Sequence, residues 1–383
     1  MWTGADPNLT DRFERNRHDI RSAFEFRNES IPFIVNDVNY WLDGDDPDRI
    51  PVDYFQRPAS MAEYQLRKIE HHLQVFDDAY IPFLHPWYGV GVVPTALGCQ
   101  FRFPARGDPV LTSTVLKSPG DIGRVRKPDP HRDGLMPKVL ETIDYMVENT
   151  PLPVCITDTQ GPLNIALGLC GVENLYIWMC TEPEGAHRIM AFCTEVLIDW
   201  IKVQKEHARL ETRRGAWPHG IWLPEGFGGV CLSDDDCTTL SPDLYAEFVV
   251  PYNSRVLREF GGGTIHFCGT AAHQIENFLR TDGLTGINNF CMGHFEQVRQ
   301  MQEAFANRIA LMICDFAPLD LDAYLRLLTT TVTAKGTIFA VFVPSEFALV
   351  NGTYAIMHRD AQQTASELYE TLTTAPMMGT RHL

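Results

Sequence analysis

The strongest constraint on this chain is an alternation in its C-terminal half. "GTIHFCG" precedes "AHQIENFLRTD", "GINNFCM" precedes "HFEQVRQMQEAF", "RIALMICDF" precedes "DLDAYLRLLTTTV", and "GTIFAVFVP" leads to a last helical pattern around 358–374. Each first member is a short apolar run of strand character, and each second carries apolar residues at helical spacing. Strands alternating with helices of about ten or more residues predict parallel β/α units. A doubly wound sheet and a (β/α)8 barrel both satisfy that pattern. The barrel is favoured because nearly every strand ends in a polar or reactive residue, while no strand-end loop carries G-x-G-x-x-G. The glycines at 261–263 precede their strand and are read as a turn.

Upstream, "PLPVCITDTQG" reads as a buried strand and 183–214 as a long amphipathic helix, with Ile189, Cys193, Val196, Trp200 and Ile201 at helical spacing. "HGIWLPEGFGGVCLSDDD" returns to extended structure. Ser241 and Pro242 are an N-cap and first helical residue. The apolar stripe Tyr245, Phe248, Val249, Tyr252, Val256 and Phe260 follows, with a break expected at Pro251. Before residue 150 the chain is rich in Pro, Asp and aromatics. The expectation is α/β, one (β/α)8 barrel over 1–383, in which 1–110 supplies N-terminal helices, the first strand and long active-site loops. No internal repeat or low-complexity linker interrupts it.

Composition excludes several classes. The hydrophobic share of 45% gives a sizeable core, and no stretch approaches the roughly 18–20 apolar residues of a membrane span. "MWTGADPNLTDRFERNRHD" is too polar for a secretory signal, so a cytoplasmic location is expected. A net charge of -17 disfavours nucleic acid. The ten cysteines form no C-x-x-C and read as reduced, mostly buried thiols.

In a barrel the strand C-termini build the active site. They supply Asn36 and Asp37, Asp158 and Gln160, Asp234 to Asp236, His266 and Cys268, Asn289 and Cys291, Cys314 and Asp315, then Ser345 and Glu346. Trp41 and Trp87 lie in aromatic loops suited to cover a pocket. Residues two apart on a strand share a face, so His266 and Cys268 point the same way. Imidazole and thiolate are both zinc ligands, but two do not hold the ion and a third must come from elsewhere. A Cys–His nucleophilic pair is the competing chemistry.

Three segments resemble the uroporphyrinogen decarboxylase superfamily: "TLSPDLYAEFVVPYNSRVLREFGGGTIHFCGT", "VLKSPGDIGRVRKPDP" and "ITDTQGPLNIALGLCGVENLYIWMCTEPEGAHRIM". The resemblance spans about 110–375 and implies a (β/α)8 barrel with its site at the strand C-termini. The decarboxylase branch grips porphyrinogen carboxylates with an arginine-rich motif on the first strand. Here that place is "IPFIVNDVNYW", without arginine; Arg12, Arg15, Arg17, Arg21 and Arg27 lie on an upstream helix. The corrinoid-linked branch, including the coenzyme M methyltransferases, carries H-x-C and a later cysteine that together bind zinc. His266 and Cys268 match, but the last strand lacks the cysteine. Cys314 is the favoured substitute, with Cys291 and Glu346 as alternatives.

The resemblance thus implies zinc on His266, Cys268 and Cys314. The expected catalytic groups are Asp37, Asp158 and Asp235, and the expected substrate contacts are Asn36, Trp41, Gln160, Asn289 and Glu346. The reaction would move a methyl group between a small substrate or thiol and a corrinoid (cobalamin) carried by a partner protein, and a homodimer is compatible with this. The alternative is a metal-independent decarboxylase or lyase acting on a small acid, with Asp37 or an aspartate of 234–236 as its charged group.

Overall fold

The computed structural model describes residues 7–37, 51–104, 108–318, 320–343, 348–350, 353–355 and 360–374. Its centre is a parallel sheet of six strands: β1 (Phe33–Asp37), β2 (Val230–Ser233), β3 (Gly263–Cys268), β4 (Leu284–Phe290), β5 (Ala310–Phe316) and β6 (Thr337–Val343). They lie in the order β1-β6-β5-β4-β3-β2. Single contacts carry the ring onward from β2. Ser233 N donates to Thr159 O at 2.9 Å, Leu84 N to Pro153 O at 2.9 Å, and Ala79 N to Phe33 O at 2.9 Å. Eight parallel positions therefore surround one axis, six of them regular strands. The expected strand in "PLPVCITDTQG" is one of the two irregular positions, bridged only at Val154 and Gln160. Pro151 and Pro153 remove two of the amide donors that a ladder there would use.

Side-chain alternation divides the apolar residues into two cores. Ile34, Met312, Cys314, Ile338 and Ala340 face inward, where Ile20, Ala23 and Phe24 of the N-terminal helix α1 (Pro7–Phe24) join them. Val35, Ile265, Phe267, Ile287, Leu311, Ile313, Phe339 and Val341 face outward beneath the surrounding helices. Asn28, just after α1, fixes it at the start of β6, donating to Ala334 O (2.6 Å) and accepting from Gly336 N (3.0 Å).

The long helix α2 (Pro183–His207) ends seven residues before the expected 214, because Arg209 turns left-handed at φ 55°. Ser241 caps α3 (Pro242–Phe248) by accepting from Leu244 N. The break before α4 (Val250–Glu259) falls at Val249, two residues ahead of Pro251. Where β2 and β3 begin, glycine is obligatory: a Cβ on Gly228, at φ +107°, would lie 1.9 Å from the Gly262 carbonyl carbon. The triple glycine thus turns the chain and also lets two backbones touch. Among the described residues no single helix is long and apolar enough to cross a membrane.

Candidate metal centre

The period of two on β3 puts His266 and Cys268 on one side, His266 buried and Cys268 exposed. His266 Nε2 lies 3.5 Å from Cys268 Sγ. Because Ser233 on β2 is in register with His266, the turn that follows β2 arrives beside them. Its first residue, Asp235, places Oδ1 3.8 Å from His266 Nε2 and accepts the Cys268 amide at 2.8 Å. The ligand atoms of Asp235, His266 and Cys268 all lie within 4.8 Å of one another.

Asn288 fixes which imidazole nitrogen is available. Its Nδ2 donates to Met312 O (3.1 Å) and Cys314 Sγ (3.2 Å), so Oδ1 is the atom 2.7 Å from His266 Nδ1. A carbonyl oxygen only accepts, so Nδ1 carries the proton and Nε2 presents its lone pair to the cluster. Burial, and then His219, push His266 well below its ordinary pKa, keeping it neutral. Burial and the neighbouring Asp235 push the Cys268 thiol up to about 12. A carboxylate and a thiol that repel as anions, beside a neutral imidazole, form a donor set suited to a divalent cation, and mixed N, S and O ligands suit zinc.

The cluster opens on a cavity of about 480 Å³. Asn36, Asp158, Gln160, Asp235 and His266 line it, as do Phe83, Trp87 and Trp217. Phe83 and Trp217 stack at 5.1 Å. Asp158 accepts from Gln160 Nε2 (2.6 Å) and Ser233 Oγ (3.1 Å), yet burial still raises its pKa. His85 is pushed down to about 4, by burial first and His219 second, and is neutral. Two buried donors on this wall, Asn36 Nδ2 and Trp217 Nε1, have no partner among the described residues. The described lining includes one lysine, Lys68, and no arginine.

The residues singled out in the sequence divide accordingly. His266, Cys268, Asp235, Asp158, Gln160 and Asn36 converge. Cys314 lies outside the group formed by Asp235, His266 and Cys268: it is fully buried in the inner core, with its sulfur accepting from Asn288. Asn289 is turned away from the cavity and donates to Phe267 O and Gly269 O at 3.1 Å, since it pairs with the outward-facing Phe267. Cys291 is likewise buried, against Asp315. The Asp37 side chain, Trp41, Ser345 and Glu346 lie outside the described residues. Sequence reasoning missed Asn288, His85, Trp217 and His219. For Asn288 the signal was register parity with His266; for the others, no spacing pointed to them.

Known proteins resemble this chain in three ways. The family described as uroporphyrinogen decarboxylase (URO-D) matches residues 50–209, which stop short of Asp235, His266 and Cys268. A protein of Methanosarcina mazei named methylated-thiol–coenzyme M methyltransferase is 27% identical over 203 residues, 52% of this chain and 50% of that protein. The match thus spans about half of that relative's length. A solved structure, a methyltransferase from Methanosarcina mazei, superposes with a TM-score of 0.66 at 16% identity, covering 92% of this chain and 99% of that one. At that identity the superposition speaks for the fold. Residues 50–209 are thus similar to the family described as uroporphyrinogen decarboxylase (URO-D), and both the sequence relative and the solved structure that resemble this chain are methyltransferases.

Proposed function

We propose that this chain is a zinc-dependent methyltransferase that moves a methyl group between a small substrate or thiol and a corrinoid carried by a partner protein. The observation that carries the proposal is the convergence of Asp235, His266 and Cys268, the first two of which line the 480 Å³ cavity. Similarity to a methylated-thiol methyltransferase supports the same reading.

Methyl transfer to sulfur needs a thiolate, whereas a free thiol with a pKa of about 8.5 is mostly protonated at neutral pH. Zinc bound by Asp235, His266 and Cys268 would hold such a thiol as its thiolate. The chain's own residues do the rest. Asn288 keeps His266 in the ligating tautomer, and the Cys268 amide holds the Asp235 carboxylate toward the cluster. The aromatic wall of Phe83, Trp87 and Trp217 keeps bulk water from the reacting sulfur. Asn36, Gln160 and Trp217 supply hydrogen-bonding groups that orient the small molecule. With one lysine and no arginine, the described lining is poorly matched to a polycarboxylate such as a porphyrinogen.

Metal content tests the proposal. Freshly purified protein should carry stoichiometric zinc, retained in Cys314→Ala and lost in Asp235→Ala, His266→Ala and Cys268→Ala. A change in corrinoid absorbance with methylated thiols would then identify the donor. Wild-type protein purified without chelator and free of metal would refute the reading and shift attention to a metal-free lyase.

A further inference from the structure

Six non-glycine residues among those described adopt a positive φ, and His219 is the one that lines the cavity. At φ 46° and ψ 42° it occupies the left-handed region, which most side chains avoid and which histidine, like asparagine and aspartate, enters more readily than other non-glycine residues. Such outliers persist where the surroundings enforce them, and they collect at functional sites. The surroundings here are specific. Trp217, two residues earlier, is clamped by its stack on Phe83; Pro218 fixes the next φ; and Gly220 continues the left-handed turn at φ 82°. This turn places the His219 ring 3.9 Å from the His266 ring, tilted by 31°.

The contact answers a need that the Asn288 bond leaves open. A single hydrogen bond at Nδ1 pins one edge of the His266 imidazole, but the ring can still tilt about that bond and swing Nε2 away from Asp235 and Cys268. A second ring against its face blocks that tilt. We propose that His219 is a positioning residue: its ring, delivered by a strained turn, braces His266 and fixes the direction in which Nε2 meets a metal ion. This inference rests on the metal-centre reading given above.

The test is zinc affinity, measured by competition with a chromophoric chelator, together with the melting temperature of the metal-free protein, for wild type, His219→Gly and His219→Phe. Glycine removes the ring and relaxes the backbone. It should weaken zinc binding about tenfold, within the range for outer-shell partners of ligating histidines, while the melting temperature stays level or rises by about a degree. Phenylalanine keeps the flat ring and should hold affinity within about threefold of wild type. A zinc-binding wild type whose glycine variant binds equally well would overturn this inference alone. A phenylalanine variant as weak as the glycine one would assign the effect to a nitrogen of His219 and also overturn it. So would a fall in the glycine variant's melting temperature, which would make the ring a structural element. A wild-type protein without zinc affinity would remove the metal reading, and this inference with it.

Discussion

Asn288 offers the sharpest separation of folding from metal binding. It is fully buried; its side chain meets His266 Nδ1 at 2.7 Å, Met312 O at 3.1 Å and Cys314 Sγ at 3.2 Å, and it also reaches the His219 side chain. Asn288→Ala strands the His266 N–H inside the barrel, whereas the Met312 carbonyl keeps its place in the parallel ladder with β4. A buried orphan costs about 1–3 kcal/mol, so the metal-free fold should lose roughly that much, with the contacts to Met312 and Cys314 adding little. The imidazole is also freed to change tautomer, and zinc affinity should fall about 10–100-fold. Asn288→Asp keeps the acceptor at Nδ1 but loses the donor to Met312 and buries a carboxylate. It should therefore destabilise the metal-free fold too, yet hold zinc at least as well as wild type, because a carboxylate behind a ligating histidine raises its basicity. Urea unfolding of chelator-treated protein reads the first quantity, and chelator competition reads the second. Folded Asn288→Ala with wild-type zinc affinity would refute the tautomer argument, as would Asn288→Asp losing zinc as badly as the alanine variant.

Three further outcomes concern stability. Burial pushes the Asp78 carboxyl up, but His72 and the amides of Val35 and Tyr80 outweigh it and hold the pKa below the ordinary value. A carboxyl depressed on folding contributes stability that is present above its unfolded pKa of about 3.9 and is lost as pH falls through the folded value. The wild-type melting temperature should therefore drop more steeply below about pH 4 than that of Asp78→Asn, and parallel curves would contradict this. Lys205, buried with its amine donating to Arg214 O at 2.6 Å, is pushed down to about 8. Its folded pKa lies below the unfolded one, so wild type should gain on Lys205→Met as pH rises from about 8 to 10, by on the order of 3 kcal/mol at most, in urea titrations at the two pH values. Gly228→Ala drives a methyl group into the Gly262 carbonyl and should cost on the order of 3 kcal/mol or more, read as a lower urea midpoint; an unchanged midpoint would mean that the two backbones do not approach so closely.

Some of the site was readable because its causes are local. The face shared by His266 and Cys268 follows from the strand period alone. The Ser241 cap and the helix break beside Pro251 follow from the chemistry of a few adjacent residues. Asp235 is expected as a catalytic group, but nothing local in "DDD" places it beside His266 and Cys268. Asp234 is fully buried, accepting from Tyr245 and Asn253, while Asp236 meets Tyr176. Only the turn after β2 decides that the middle residue reaches the cluster. Ligand softness and its place at a strand end favour Cys314 as a third donor, whereas its engagement by Asn288 depends on the neighbouring strand's register.

The sequence by itself determined the parallel β/α architecture and the H-x-C pair, since hydrophobic period and side-chain alternation are properties of neighbours along the chain. Tertiary structure decided that Asp235 meets His266 and Cys268, that Asn288 Oδ1 faces His266 Nδ1, and that the His219 ring lies against His266. Asp235 lies 33 positions from the Cys268 amide that it accepts, and Asn288 lies 22 from His266. Such encounters depend on strand register and on one left-handed turn at His219, which no pattern of neighbouring residues encodes.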